Sequence, residues 1–368
     1  MHKKKTVLLV DTMSFGGSER TVQILANNQD SVVNDFIIVS LADIFKYTLN
    51  DDVERRGIYN KNFHPLIKLF LLPITIIKLA VILKNIKSES VISFHQQSHL
   101  LNVIISKFLS YKPIISERAY IELYYGKKNK ILRPIIKLIY NNSSLVIVND
   151  IEIKESLIGY YKIKTRIEVI NNLLDISNFK KQNTIQKQDT KTKFITIGRL
   201  SKEKNTKDLI IAFKKANIKN SQLEIIGDGS LLEPLKLLCS KLEIDQKVIF
   251  HGHQTDIGMF LQKAHVFVFS SLNEGFPNVV LEAMYFGLPI ISYKFKAGIT
   301  TILENGKHGV LVPLNDVNEL SRKMKILASD KKLRRKFERL SKARVKYFTK
   351  TENYIRKYNL LINNVYES

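Results

Sequence analysis

A single cysteine, Cys239, stands in a chain of 368 residues, so no disulfide can form within it and nothing calls for an oxidising compartment. Glycine and proline are sparse at 15 and 8 residues, which excludes collagenous and low-complexity chains. Long apolar runs are missing too. The strongest, Leu66 to Ile86, is interrupted by Lys68, Lys78 and Lys84 and contains Pro73, whereas a spanning helix needs about 20 mostly apolar residues. At the amino end, Lys3-Lys4-Lys5 is followed only by Thr6-Val7-Leu8-Leu9-Val10 before Asp11, too short a stretch for a secretory signal, so it reads as a strand. No D-x-D pair and no His/Cys cluster with zinc spacing occurs, so no bound catalytic metal or cofactor is expected. These absences point to a globular cytosolic protein.

Acidic residues are the other shortage. Against 58 Lys and Arg there are 34 Asp and Glu, a formal charge of +24. Between Arg322 and Lys357 the count is 15 basic and 3 acidic residues, so half the excess sits there. Such a balance favours anionic partners, whether nucleic acid, nucleotide-linked substrate or anionic lipid, or it is simply a solvated basic face.

A hydrophobic share of 45% supports sizeable cores, and one core rarely grows beyond roughly 250–300 residues, so two domains are expected. Strand-like runs recur at Val7 to Val10, Phe36 to Val39, Val91 to Phe94, Pro113 to Ser116 and Leu145 to Val148. Helix-length stretches separate them, the pattern of βαβ units with a parallel sheet. From Asn178 to Lys193 the chain turns polar and loses periodicity, as an exposed boundary does. A second series follows at Phe194 to Ile197, Leu223 to Ile226, Val248 to Phe250, Val266 to Phe269, Pro289 to Ser292 and Gly309 to Val312. The expected architecture is two Rossmann-like, doubly wound α/β domains: residues 1–178, a linker over 179–193, and residues 194–368 ending in basic helices. The last helix has the option of packing back on the first domain. The segment Leu66 to Ile86 reads as a helix that either packs on the sheet or lies in a membrane interface.

Four places carry chemistry. Gly16-Gly17-Ser18-Glu19-Arg20 lies between a strand and a helix, where backbone can approach an anion, yet its spacing matches neither a P-loop nor a dinucleotide fingerprint. Gly198-Arg199 with Lys204 places two cations at a strand's carboxyl end, which suits a diphosphate. Glu274-Gly-Phe276-Pro-Asn278-Val-Val-Leu-Glu282 reads as loop then helix, with Asn278 as an N-cap and the carboxylates available to hold sugar diols. His95 and His99 follow a first-domain strand, and Ser116-Glu117-Arg118 follows the next. A histidine so placed is suited equally to a ligand contact or to a structural role.

Taken in order with Gly227-Asp228-Gly229, these motifs resemble the retaining family 4 nucleotide-sugar glycosyltransferases from about Val7 to Val312. E-x7-E, from Glu274 to Glu282, is the most specific element. The resemblance implies a GT-B architecture, two domains facing across a cleft, the second holding a nucleotide-sugar donor and the first an acceptor. It implies that Arg199 and Lys204 bind the diphosphate, Glu282 the ribose and Glu274 the transferred sugar. Backbone from Phe276 to Asn278 would approach sugar and phosphate. Gly16 and Gly17 would meet the donor phosphates and the acceptor, Gly227 would shape the nucleoside loop, and His95 matches the family's sugar-facing histidine, with His99 as the alternative. Retention is expected, the leaving diphosphate taking the acceptor's proton.

The stretch Ile114-Ile-Ser-Glu-Arg118 is similar to a motif of bacterial capsule and O-antigen transferases, with Ala119 in place of the usual Asn and the following Pro absent. That similarity makes Arg118 a substrate-binding candidate and implies a UDP-sugar donor, a polyprenyl-diphosphate-linked acceptor and a role in capsule, O-antigen or lipopolysaccharide synthesis. It also implies peripheral association with the anionic inner face of the cytoplasmic membrane and no nucleic-acid partner. Two alternatives remain open at this point, a UDP-sugar epimerase of similar two-domain fold and a basic nucleic-acid-binding protein.

Overall fold

Val7, Leu8, Leu9 and Val10 leave no polar face for solvent, so their strand must be covered on both sides. The computed structural model, which describes residues 4–14, 16–29, 34–61, 63–64, 67, 70–176, 179 and 191–367, places that strand inside a parallel sheet. Two compact units make up the chain, Met1–Leu173 with Lys350–Ser368, and Leu174–Thr349. Of the linker expected over residues 179–193, residues 180–190 lie outside the described residues; so do residues 1–3, and residues 66, 68 and 69 of the apolar segment.

In the first unit the strands are β1 (Lys4–Val10), β2 (Asn34–Ala42), β3 (Arg55–Tyr59), β4 (Ser90–Ser93), β5 (Lys112–Glu117), β6 (Leu145–Val148) and β7 (Ile167–Val169). They pair in the order β3-β2-β1-β4-β5-β6-β7, all parallel, with Leu8 opposite both Ile38 and Ile92. The edge strands β3 and β7 escape the sequence reading because an edge needs no apolar run, and Arg55, Arg56 and Gly57 are exposed. The helices are α1 (Gly17–Asn27), α2 (Leu72–Ile86), α3 (Gln96–Ile105), α4 (Ile121–Tyr125), α5 (Asn129–Asn141) and α6 (Ile151–Gly159). Leu8 and Val10 pack with Val22 and Leu25 of α1, while Val7 and Leu9 pack with Leu79 and Leu83 of α2 and Leu101 of α3. Pro73, which interrupts the apolar segment in sequence, sits in the first turn of α2, where its missing N–H costs nothing.

The second unit repeats the plan. Strands β8 (Thr192–Ile197), β9 (Ser221–Ile226), β10 (Val248–Phe250), β11 (Val266–Phe269), β12 (Ile290–Tyr293) and β13 (Val310–Val312) pair in the order β10-β9-β8-β11-β12-β13. Helices α7 (Thr206–Ala216), α8 (Leu232–Lys241), α9 (Gly258–Lys263), α10 (Asn278–Tyr285), α11 (Ile299–Ile302), α12 (Val317–Ser329) and α13 (Lys331–Val345) flank the sheet. Asp316 and Asp330 start α12 and α13 by accepting hydrogen bonds from the N–H groups of Glu319 and Leu333 at 2.9 and 2.8 Å. Strand order reverses between β1 and β4 in one sheet and between β8 and β11 in the other, so loops at those carboxyl ends leave in opposite directions and open a crevice at each edge.

Helix α14 (Thr351–Glu367) returns to the first unit, burying Tyr354, Tyr358, Ile362 and Val365 in the same cluster as Leu8, Ile38 and Ile114. Its polar anchor is Arg118. That buried guanidinium donates to Ser116 Oγ at 3.1 Å, to Asn172 Oδ1 at 2.6 Å and to the Tyr358 hydroxyl. Asn34 adds a buried bond to Asn359 at 3.0 Å. Removing the Tyr358 hydroxyl strands one guanidinium donor out of reach of water, a loss of about 1–3 kcal/mol. Tyr358→Phe is therefore expected to speed hydrogen exchange of α14 by about tenfold or more at an unchanged fold; exchange at the wild-type rate would show that Arg118 does not anchor the helix.

Candidate active site

At the carboxyl end of β1 stands Asp11, and at that of β4 stands His95, the residue that caps α3. The two orient each other. The Asp11 N–H donates to His95 Nδ1 at 3.1 Å, while Asp11 Oδ1 accepts from the Ser98 N–H at 3.1 Å and the Ser98 hydroxyl at 2.5 Å. With Nδ1 accepting, the proton of neutral His95 lies on Nε2. That nitrogen is 3.7 Å from Oε1 of Glu19, in the first turn of α1. Burial holds the Glu19 carboxyl above its ordinary pKa, and His95 offsets only part of that rise.

Gly16 caps α1 and Gly17 is its first residue. The Gly16 backbone is held by the Tyr47 hydroxyl, which accepts from its N–H at 3.2 Å and donates to its carbonyl at 2.8 Å. His99 is inside the protein, its Nδ1 2.9 Å from Ser93 Oγ, and burial drives its pKa down to about 3. Of the two histidines, only His95 is placed at the crevice. Glu117 is likewise internal, where Tyr140, Gln96 and the N–H groups of Arg118 and Ala119 donate to it. Arg118, expected at the substrate, is instead spent on α14, because its backbone position at the end of β5 turns the side chain toward Asn172 and Tyr358.

In the second unit three loops are fastened together at the reversal point. Gly227 has φ +133°, and a methyl group there would lie 1.9 Å from the Gly198 carbonyl oxygen, so only glycine lets the β9 loop lie against the β8 loop. Gly198 N–H bonds to Ile226 O at 2.9 Å and Leu200 N–H to Asp228 O at 2.9 Å. On the other side, Leu272 N–H bonds to Glu203 O at 2.8 Å and Ser270 Oγ to Lys204 O at 3.0 Å. The Lys204 stem runs beneath Gly198, and its ammonium is ion-paired with Glu274 and 5.5 Å from the Phe269 ring centre. Ser271 Oγ donates to the same Glu274 oxygen at 3.0 Å. Arg199 is exposed on the same loop.

Asn278, expected as an N-cap, is the first helical residue of α10; Pro277 takes the cap position with extended backbone and without a side-chain bond. The Phe276 side chain belongs to the core, edge-on to Phe348 at 5.8 Å, so only its backbone is left to meet a ligand. Gly298, at φ +74°, lets the β12 loop press on Gly275 and Phe276. Glu282 is buried one turn into α10. Thus Gly198, Arg199, Lys204, Gly227, Glu274 and Glu282 gather around one sheet edge, and Gly16, Gly17 and His95 around the other. Sequence reasoning assigned no role to Asp11, Glu19 or Ser271; the acid that ends the apolar run of β1 is the one signal that marks Asp11. Among the described residues no group of three His, Cys, Asp or Glu could hold a metal ion.

Comparison with known proteins supplies the rest. Residues 177–344 match the family model of the glycosyl transferases group 1. The chain is 25% identical to a Campylobacter jejuni protein, N-acetylgalactosamine-N,N'-diacetylbacillosaminyl-diphospho-undecaprenol 4-alpha-N-acetylgalactosaminyltransferase, over 95% of this chain and 97% of that one. It is 32% identical to an uncharacterized glycosyltransferase of Methanocaldococcus jannaschii over 68% of this chain and 67% of that protein. Among solved structures, Anabaena HepE in complex with UDP and glucose superposes with a TM-score of 0.80 at 17% identity, over 98% of this chain and 99% of that one, a likeness of fold. The epimerase and nucleic-acid alternatives find no support in these relatives. Two parallel Rossmann-like sheets, the E-x7-E block beside Lys204, and these matches make the chain a glycosyltransferase of GT-B fold that belongs to the glycosyl transferases group 1 family.

Proposed function

We propose that this enzyme moves a sugar from a UDP-sugar to a saccharide carried on polyprenyl diphosphate, with retention of anomeric configuration, in the assembly of bacterial surface polysaccharide of the capsule or O-antigen kind. The observation that carries the site is the ion pair of Lys204 with Glu274, which joins the diphosphate-type loop to the E-x7-E block at the reversal point of one sheet. The name of the Campylobacter jejuni relative, matched over nearly its whole length, supports an undecaprenol-linked acceptor. HepE, solved with UDP and glucose, supports the choice of nucleotide.

In this reading the donor diphosphate lies against Arg199, Lys204 and the N-terminus of α10. Glu282 accepts hydrogen bonds from the ribose diol, and Glu274, steadied by Ser271, meets a hydroxyl of the transferred sugar. As the bond from the anomeric carbon to the diphosphate breaks, negative charge grows on the leaving oxygen, and the two cations stabilise it. The acceptor oxygen bonds to the anomeric carbon on the same face, and its proton passes to the departing diphosphate. His95, with its proton on Nε2, donates to a sugar oxygen, while Gly16 and Gly17 bring α1 close to the phosphates. Acceptor recognition falls to the first unit. Peripheral association with the inner face of the cytoplasmic membrane is supported by the exposed Ile74, Ile77 and Val81 of α2 and by the basic helices α12 and α13. No helix among the described residues is long and apolar enough to cross a membrane.

Transfer from labelled UDP-sugars to an undecaprenyl-diphosphate saccharide tests this directly. Lys204→Ala is expected to lower kcat about 10²- to 10³-fold, the usual effect of removing one contact to a developing anion; undiminished turnover would remove Lys204 from the reaction. Glu282→Gln is expected to raise the donor KM about tenfold, as the loss of one charge-assisted hydrogen bond does, and an unchanged KM would separate Glu282 from the ribose. Gly227→Ala forces the β9 loop off Gly198, so calorimetric titration with UDP is expected to show at least tenfold weaker binding, in proportion to about 1–3 kcal/mol of loop strain. Wild-type affinity in that variant would place the nucleotide elsewhere.

A further inference from the structure

Helix α5 is apolar on two opposite faces, and the fold uses only one of them. Ile136 and Tyr140 point inward, and the Tyr140 ring meets His99 of α3 edge-on at 5.9 Å. Half a turn away, Ile131, Ile135 and Leu138 are 78%, 52% and 66% exposed. Their spacing of four and three residues puts them in one stripe. Just before them α4 exposes Leu123 and Tyr124. The seventeen residues from Gly126 to Asn142 contain five basic residues, Lys127, Lys128, Lys130, Arg133 and Lys137, and no acidic one. All four lysines are exposed, while Arg133 lies 4.6 Å over the ring of Tyr160.

Exposed aliphatic side chains this close together are rarely left in water. We propose that the outer face of α4 and α5 docks on an anionic lipid bilayer, the stripe entering the boundary between headgroups and acyl chains and the lysines reaching lipid phosphates. This deepens the peripheral-membrane reading above and rests on it. Charge selects the occupant. A second copy would set this cationic face, whose one carboxylate, Glu122 of α4, is bonded by Ser156 at 2.6 Å, against itself, and a nucleic acid would leave the isoleucine stripe in water. A bilayer satisfies both chemistries at once, because headgroups and hydrocarbon lie a few ångströms apart in depth. Lys128, Lys130 and Lys137 stand within three residues of the stripe along the chain, so they act on the surface that the stripe enters even where salt screens charges beyond about 8 Å. The site differs from α2, since α3 packs between α2 and α5.

Co-sedimentation of the full chain with phosphatidylcholine vesicles, with and without phosphatidylglycerol, tests the proposal. The wild type is expected to pellet with the anionic vesicles in preference to the neutral ones. Lys127→Gln/Lys130→Gln/Lys137→Gln, confined to exposed positions, is expected to weaken that binding on the order of a hundredfold, from about fivefold per lysine at an anionic surface. Ile131→Ser/Ile135→Ser/Leu138→Ser should weaken it at least tenfold while the thermal unfolding midpoint holds. If both variants pellet like a wild type that prefers anionic vesicles, the docking face lies elsewhere and only the wider membrane reading stands. If the wild type shows no preference for anionic vesicles, the membrane reading itself falls. A dimer in solution that the serine variant dissolves, with vesicle binding intact, would overturn the proposal in favour of a second copy.

Discussion

In a parallel sheet every strand ends at the same edge, and a reversal of strand order makes two neighbouring loops part there; the placement of the candidate site residues depends on that constraint twice. In the first unit the reversal lies between β1 and β4 and brings Asp11, Gly16 and Gly17 beside His95. In the second it lies between β8 and β11 and brings Lys204 onto Glu274, 70 residues further along the chain. Neither meeting is encoded locally. Both require continuous apolar strands buried on two faces, which is why Val7 to Val10 and Val266 to Phe269 carry no polar side chain.

Polar groups inside such a sheet need partners, and the first unit spends several motif residues on that need. Glu117 collects four donors, His99 stays neutral on Ser93, and Arg118 ties Ser116, Asn172 and Tyr358 together. Ser116, Glu117 and Arg118 thus serve to hold α14 and α5 against the sheet. The active-site loops of the second unit are stiffened differently, by close backbone approach. Gly227 meets Gly198, Gly298 meets Gly275 and Phe276, and the cross-loop bonds from Leu272 and Ser270 leave the stem of Lys204 little freedom. A cation held this rigidly needs no reorganisation when negative charge develops beside it.

What the sequence by itself determined is the class of fold and the chemical kind of the site. Mostly apolar runs of three or four residues separated by helix-length stretches identify a parallel α/β chain, and eleven of the thirteen strands among the described residues are legible that way. The two that were not, β3 and β7, are edges, where half the pairing is absent and composition is free. The spacing of Glu274 and Glu282, and of Arg199 and Lys204, was equally legible, since residues of one loop and one helix turn move together.

Only the tertiary structure decided which polar residues stand at a sheet edge and which face the core. His95 and His99 stand one helical turn apart, yet one caps α3 at the sheet edge and the other is sealed under Tyr140. Arg118 looks like a ligand contact in a linear motif and proves to be an anchor, because its partners Asn172 and Tyr358 arrive from 54 and 240 residues away. Asp11 gains its role only when α3 presents Ser98 and His95 to it. Apolar periodicity is a property of neighbours along the chain. Burial and partnership of a polar side chain depend on what distant segments bring to it, and that information appears only when the chain is folded.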